Sequence, residues 1–577
     1  MKTLIKYTFL LLILLFVVGC NTFEPLDENL SGDDRLTSDP AMAEGLLLDA
    51  YEGMPNQFLF NDTSTDDAVT NYLSGYSRMA TGEWNADNPF SSRWGQYQQV
   101  LYVNKFLTVI DQVQWKRDEE TNNLFKQRMY GEAIAMRALR HFWILQEHGG
   151  LGTSGKLLGV PYITEFLEHD ADFNLPRPDF EVTVQMINDD FNEALEYLPM
   201  DWDGDLSKQP SRYSGVDDDI YQYVFGTTQD GRISGRIIKA FQAKLNLLAA
   251  SPAFMDGSGD YYQKAADILG ELLSDNGGVA GIDPEGYYDF YDFNIGTRNF
   301  PEVLWRENVS TNFTWLEKQH YPPSLNGEGK LNPSQNLVDA FPMLDGFPFS
   351  ESHPEYDPQN PFNNRDPRLK KYILYNGNDL NNRIIYTGVG GGSDEIDRVQ
   401  FRSTRSGYYL KKLLDPGVVI SSDGSVSASE KMNVFLRYTD LYLMLAEVAN
   451  ELGGPDYMVD GMSARTIIEA LRKRAGIGLD SGDAYLSSIS TKEQMRDLVR
   501  NERRLELCFE GHRLFDLRRW NMLDDIPNVI GSKYDGSSYN KFVVEQRLYS
   551  NYENPNYAPI PQSEIVKFDA LEQNIGW

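Results

Sequence analysis

Residues 500–520 read Arg-Asn-Glu-Arg-Arg-Leu-Glu-Leu-Cys-Phe-Glu-Gly-His-Arg-Leu-Phe-Asp-Leu-Arg-Arg-Trp. Apolar residues recur here at three- and four-residue steps, and the pattern begins upstream, so the spacing predicts one helix from Thr491 to Trp520. Glu502, Glu506 and Glu510 would share one face of it, about 6 Å apart along the axis, within the ~5 to 9.5 Å separations of the acid pairs in glycoside hydrolases. Arg500, Arg503, Arg504 and Arg513 lie on the same helix. Arginine partners depress carboxyl pKa values, whereas a general acid needs one raised. The expected role of the glutamates is therefore a network of ion pairs with these arginines that docks the helix into the body. Cys508, between Leu507 and Phe509, reads as a buried inert thiol.

Amphipathic periodicity recurs upstream at Pro40 to Tyr51, Trp94 to Val113, Thr121 to His148, Phe180 to Leu198, Ile233 to Ala250, Tyr261 to Leu273, Tyr438 to Leu452 and Ser463 to Ala475. Several of these come as consecutive pairs, each helix with one face to bury. The expected fold class is mostly α, a helical-repeat scaffold with long loop-rich insertions and a few short strands such as Val303 to Trp305. The insertions, Asn61 to Arg93, Asp201 to Asp230, Asn276 to Gly329 and Asn376 to Ser429, mix Gly, Pro, Asn and Asp with rings. Loops of this length are functional or disordered, and their aromatics argue against disorder, so they read as the ligand-facing surface.

The 577 residues carry 53 Lys and Arg against 85 Asp and Glu, a net charge of −32 that repels nucleic acid. Two cysteines, Cys20 and Cys508, exclude a disulfide framework and a thiolate metal cluster. The six histidines lack HExxH spacing, and Gly150 to Lys156 mimics a phosphate loop but has Leu157 where Ser or Thr would hold magnesium. Asp201, Asp203 and Asp205 alternate like the start of a calcium loop, yet Gly204 is out of register and Arg212 replaces the closing glutamate, leaving only a weak calcium candidate.

At the N-terminus, Lys2 and Lys6 precede an apolar run from Leu10 to Val18, too short for the ~20 residues of a spanning helix. Val17-Val18-Gly19-Cys20 has the pattern of a bacterial lipobox, which predicts a signal peptide at 1–19, lipidation of Cys20 and a polar tether at 20–38. The body divides into an N-terminal helical region at 39–275 and a C-terminal region at 276–577, expected to pack as one body.

The 500–520 stretch closely resembles the C-terminal signature of the SusD/RagB family, and further stretches fit the family in order. Among these are Gly131-Glu-Ala through His148-Gly-Gly, Asn364-Arg-Asp-Pro-Arg-Leu369, Gly407-Tyr-Tyr-Leu-Lys-Lys412, Arg437 to Glu447 and Pro559-Ile-Pro561. The resemblance implies a tetratricopeptide-like scaffold in a non-catalytic lipoprotein of the outer membrane, facing outward from the cell surface. It also implies capture of oligosaccharide or polysaccharide and delivery to a SusC-like TonB-dependent transporter. A peptide-binding RagB-like member is the alternative within the family; a secreted glycoside hydrolase is the alternative outside it.

A glycan site without chemistry needs flat rings for sugar C–H faces and amides or carboxylates for hydroxyls. Trp84 with Asn85 and Asp87 offers this in the first long loop, as do Trp315 and Tyr321, with Tyr287 and Tyr291 nearby. Each ring could equally be buried. No cofactor is expected.

Overall fold

The computed structural model describes residues 33–56, 58–254, 260–286, 301–308, 310, 314–479 and 482–577. Cys20, Tyr287 and Tyr291 lie outside the described residues.

Helices dominate, and successive ones pack side by side. Tyr97–Val109 lies against the 30-residue Glu119–His148 helix, which packs on Phe180–Leu195; Gly235–Ala250 packs on Tyr261–Asp275. The array then leaps the long insertion: Tyr261–Asp275 packs on Tyr438–Gly453, which contacts both Ala464–Ala475 and Lys492–Glu506. Their inward faces form one apolar cluster running from Ala43 to Tyr557, with Phe142, Trp143, Phe241, Trp305 and Leu441 at its interior. Helices near both ends of the chain thus share a single core.

Local chemistry sets the ends. Thr491 and Gln494 form a reciprocal capping box, as do Ser463 and Thr466, and Asp118 accepts the Thr121 N–H at 2.8 Å. Gly476, at φ 98°, closes the Ala464–Ala475 helix in the left-handed conformation that glycine adopts without strain. At Gly131 the reason for glycine is contact: a Cβ there would sit 2.6 Å from Tyr197 Cβ, so the hydrogen side chain lets the neighbouring segment approach.

A second apolar cluster underlies the insertion, with Tyr321, Leu337, Phe341, Tyr372, Tyr408 and Phe509 buried in it. Short antiparallel pairs stitch this part together. Ala68–Thr70 pairs with Leu331–Pro333, Val303–Arg306 with Val434–Arg437, and Val529–Tyr534 with Tyr539–Glu545 as a hairpin.

Three expectations change. The predicted Thr491–Trp520 helix is two helices, Lys492–Glu506 and Arg513–Arg519, because Phe509 (φ 64°) and Gly511 (φ 80°) take left-handed backbone between them. The end of the predicted tether is helical at Asp33–Ser38, where Leu36 is buried. The first long insertion is not all surface, since every residue from Asn61 to Asn71 is buried.

Candidate functional site

The glutamates of the signature stretch come first, because they decide whether the site is chemical. Glu502 meets Arg368 at 2.5 Å, and Glu506 meets Arg368 at 2.9 Å and Arg474 at 2.7 Å. Glu510, beyond the helix end, meets Lys412 at 2.6 Å and Arg437 at 2.7 Å. These side chains are buried, and burial alone would raise the Glu510 carboxyl; Arg437 and Lys412 override it and hold it down to about 2. Glu506 is likewise lowered by Arg474, Arg368 and Arg437 against the opposing effect of burial. The network is as expected, but its arginines are not those of its own helix. Arg503 instead binds Asp440 and Asp516, each at 2.7 Å, and Arg504 and Arg513 reach Asp66 at 2.9 and 3.2 Å. Arg503, Arg504 and Arg513 thus fasten the signature stretch to the scaffold helix 438–453 and to the buried 61–71 loop. Cys508 is buried in the second apolar cluster, its thiol pushed up to about 12 chiefly by that burial.

The expected glycan rings separate into two sets. Trp84 is 1% exposed: the C-terminal Trp577 covers it at 4.6 Å, with Tyr552 and Tyr549 edge-on at 6.0 and 6.3 Å. The expectation of an exposed platform at Trp84 is therefore corrected, since Trp84 and Tyr549 sit in a satellite core with Met79, Leu514 and Leu517, against which Tyr552 and Trp577 pack. Asn85 and Asp87 beside it are exposed. Asn85 Oδ1 is engaged in the local turn, where it accepts the Asn88 N–H at 2.9 Å. Tyr321 is also corrected: it is fully buried in the second cluster, its hydroxyl donating to the Asp415 carbonyl.

Among the predicted rings that lie in described residues, Trp315 is the one that reaches the surface, at 39% exposure. It opens the Trp315–His320 helix, and three side chains of that turn anchor it from below. Leu316, Glu317 and His320 are buried, and Glu317 pairs with buried Lys431 and accepts the Asp415 N–H at 2.8 Å. Phe58 meets the Trp315 ring edge-on at 5.9 Å and 83°. Phe60, next along, lies 4.8 Å from the His320 ring, which burial keeps neutral by pushing its pKa down to about 3. Lys330 links this patch to the next exposed ring. Its N–H donates to Gln319, its carbonyl accepts the Asn71 N–H, and its Nζ lies 5.3 Å from the centre of Tyr72, itself 41% exposed. Phe58, Phe60 and Tyr72 were absent from the sequence reading. The Phe58-x-Phe60 doublet before the long insertion was the available signal.

The calcium candidate is also corrected. Asp201 is turned to Arg236 at 2.8 Å, and Asp203 and Asp205 share Lys208, each at 3.2 Å. Among the described residues no group of three or more His, Cys, Asp or Glu is placed to hold a metal ion. The arrangement around Trp315 can stack flat apolar faces and supply polar rim groups.

Comparison with known proteins agrees with this fold. A family model described as "SusD family" matches residues 301–577, and one described as "Starch-binding associating with outer membrane" matches 41–215. A SusD-like protein of Formosa agariphila is 28% identical over 134 residues, 21% of this chain and 25% of that protein. The match thus spans about a quarter of that relative's length. Among solved structures, a SusD-like protein from Bacteroides fragilis superposes with a TM-score of 0.71 at 20% identity, covering 96% of this chain and 100% of that one. A second from Bacteroides fragilis, described as a SusD-like carbohydrate-binding protein, gives 0.68 at 20% identity over 93% of this chain and 99% of that one. A laminarin-binding SusD-like protein gives 0.56, also at 20% identity, over 93% and 99%. With the signature helix, the mostly helical array and both family matches in agreement, this chain belongs to the SusD-like family.

Proposed function

We propose that the protein is a non-catalytic glycan-binding lipoprotein of the outer membrane that captures oligosaccharide or polysaccharide on the Trp315 platform. The observation that carries this reading is the preorganised ring: Trp315 is held at the surface by a turn whose Leu316, Glu317 and His320 side chains are locked in the core. Stacking on such a ring loses little side-chain entropy, which suits a weak, reversible capture step. The relatives described as starch-binding, carbohydrate-binding and laminarin-binding support the ligand class. Against catalysis stand Glu506 and Glu510, whose partners favour the ionised form where a glycosidase acid must hold a proton.

In this reading the captured glycan passes to a SusC-like TonB-dependent transporter, and Cys20 carries the lipid that keeps the protein at the cell surface. Among the described residues no helix is long and apolar enough to cross a membrane, so anchoring by acyl chains fits. Labelling cells with a radioactive fatty acid should mark the native protein and leave Cys20→Ala unmarked; equal labelling would remove the anchor from the account. The binding half is tested by electrophoresis through gels containing laminarin, starch, xylan or galactomannan. At least one should retard the wild type, and Trp315→Ala should migrate faster in that gel than the wild type does. Migration of the wild type unaffected by every gel would overturn the glycan reading.

A further inference from the structure

Well away in sequence from Trp315, the segment after the Gln335–Ala340 helix folds against the Val529–Tyr534/Tyr539–Glu545 hairpin and leaves a cleft of about 350 Å³. Two ring pairs line it. Phe349 and Tyr356 meet edge to face at 5.4 Å, and Phe362 and Tyr539 do so at 5.5 Å and 88°. Both pairs are braced from behind. Tyr375 stacks on Phe362 at 3.9 Å and 20°, and the Arg365 guanidinium lies 4.0 Å from the centre of Phe349.

The charges around the cleft are already engaged. Lys541 at the rim meets Asp339 at 3.1 Å and Glu351 at 2.9 Å. Arg365, 6% exposed, donates to the carbonyls of Val338 and Phe341, each at 2.6 Å. What the cleft presents to a ligand is flat aromatic carbon interleaved with neutral polar groups: the Gln359 amide and the hydroxyls of Ser538, Tyr356 and Tyr539. Half-exposed rings set in fixed planes beside neutral hydrogen-bonding groups match the alternating C–H faces and hydroxyls of a pyranose. An anionic ligand would meet a Lys541 that is already paired and an Arg365 that is buried and bonded to backbone carbonyls.

We propose that this cleft is a second carbohydrate site, taking one or two residues of a neutral glycan chain whose other part lies on the Trp315 platform of the same or a neighbouring molecule. It shares no lining residue with that platform, and it rests on the glycan-binding reading above. Two weak sites on one polymer raise the overall affinity through effective concentration without any new contact.

The test is calorimetric titration with whichever of laminarin, starch, xylan and galactomannan retards the wild type, using Tyr356→Ala/Tyr539→Ala, Gln359→Ala and Trp315→Ala. The double variant should bind the polymer about tenfold or more weakly, with Gln359→Ala, at an exposed position, changed in the same direction. Trp315→Ala should retain residual binding that is lost when it is combined with the double variant. Should the double variant and Gln359→Ala both bind as wild type does while Trp315→Ala alone removes binding, the second site is wrong and the first stands. If the wild type binds none of the four polymers, both readings fall together.

Discussion

Glu506 shows most clearly what the signature residues do. It is fully buried and faces Arg368, Arg474 and, at 3.6 Å, Arg437. Truncating it strands several guanidinium charges without their carboxylate, the situation in which removing one partner of a buried pair is most damaging. Glu506→Ala should lower stability by about 3 to 5 kcal/mol, read from urea unfolding. A loss below about 1 kcal/mol, typical of an exposed pair, would show that the network is not buried in solution. At the same scale the sequence was legible in kind and illegible in partner. That the glutamates form ion pairs follows from the density of arginine around them. That Arg368, Arg437 and Arg474 are the partners depends on contacts spanning up to 138 residues of chain, as between Arg368 and Glu506. The rings illustrate the same limit. Trp84 and Trp315 both stand in polar, irregular stretches, and what separates them is Trp577, whose ring closes over Trp84 from the far end of the chain.

At the scale of elements, helices were read well because their periodicity is a property of the segment itself. The Phe180 and Tyr261 helices begin where the pattern begins. The break at Phe509 was missed, since Leu505, Cys508 and Phe509 continue an apolar rhythm and only the left-handed backbone at Phe509 and Gly511 interrupts the helix. Gly131 offers a test of how tightly the elements are set. Alanine is the better helix former by about 1 kcal/mol, so an isolated helix would gain from Gly131→Ala. Here its Cβ would meet Tyr197 Cβ at 2.6 Å and Leu198 Cγ at 3.1 Å, and neither is the far end of a flexible chain. The variant should be less stable by about 1 to 3 kcal/mol, seen as a lower Tm by circular dichroism. An unchanged or higher Tm would mean that the Glu119–His148 helix and the segment after Phe180–Leu195 are less closely packed than described.

Across the whole molecule, burial sets the response to acid. His141, His148 and His320 are pushed down to about 3 and His512 to about 4, chiefly by desolvation. A depressed histidine stays neutral in the fold while the unfolded chain takes up a proton below its ordinary pKa of about 6.5. Stability is therefore full above that value and declines as pH falls toward 3, each such group contributing up to about 1.36 kcal/mol per pH unit. Glu510 acts with the same sign lower down, because its stabilisation is present above the ordinary glutamate range and lost as pH falls toward 2. Asp62 opposes them. Burial and then Asp67 raise its carboxyl to about 7, so its contribution weakens as pH rises from about 4. Asp49, Asp67, Glu302 and Asp394 are raised by burial in the same sense as Asp62, but between pH 6.5 and pH 4 the four deeply depressed histidines outweigh these carboxyls, and Tm should fall over that interval. A Tm that is flat over that interval would contradict the buried, neutral histidines.

A preformed ring at Trp315 is the principal binding feature proposed for this scaffold, and calorimetry on Trp315→Ala tests it most directly. With the polysaccharide that retards the wild type, the variant should lose about 1 to 3 kcal/mol of binding free energy, by analogy with stacking of bases on aromatic side chains, while its Tm stays within a degree or two. Wild-type affinity in Trp315→Ala would contradict the assignment of the platform.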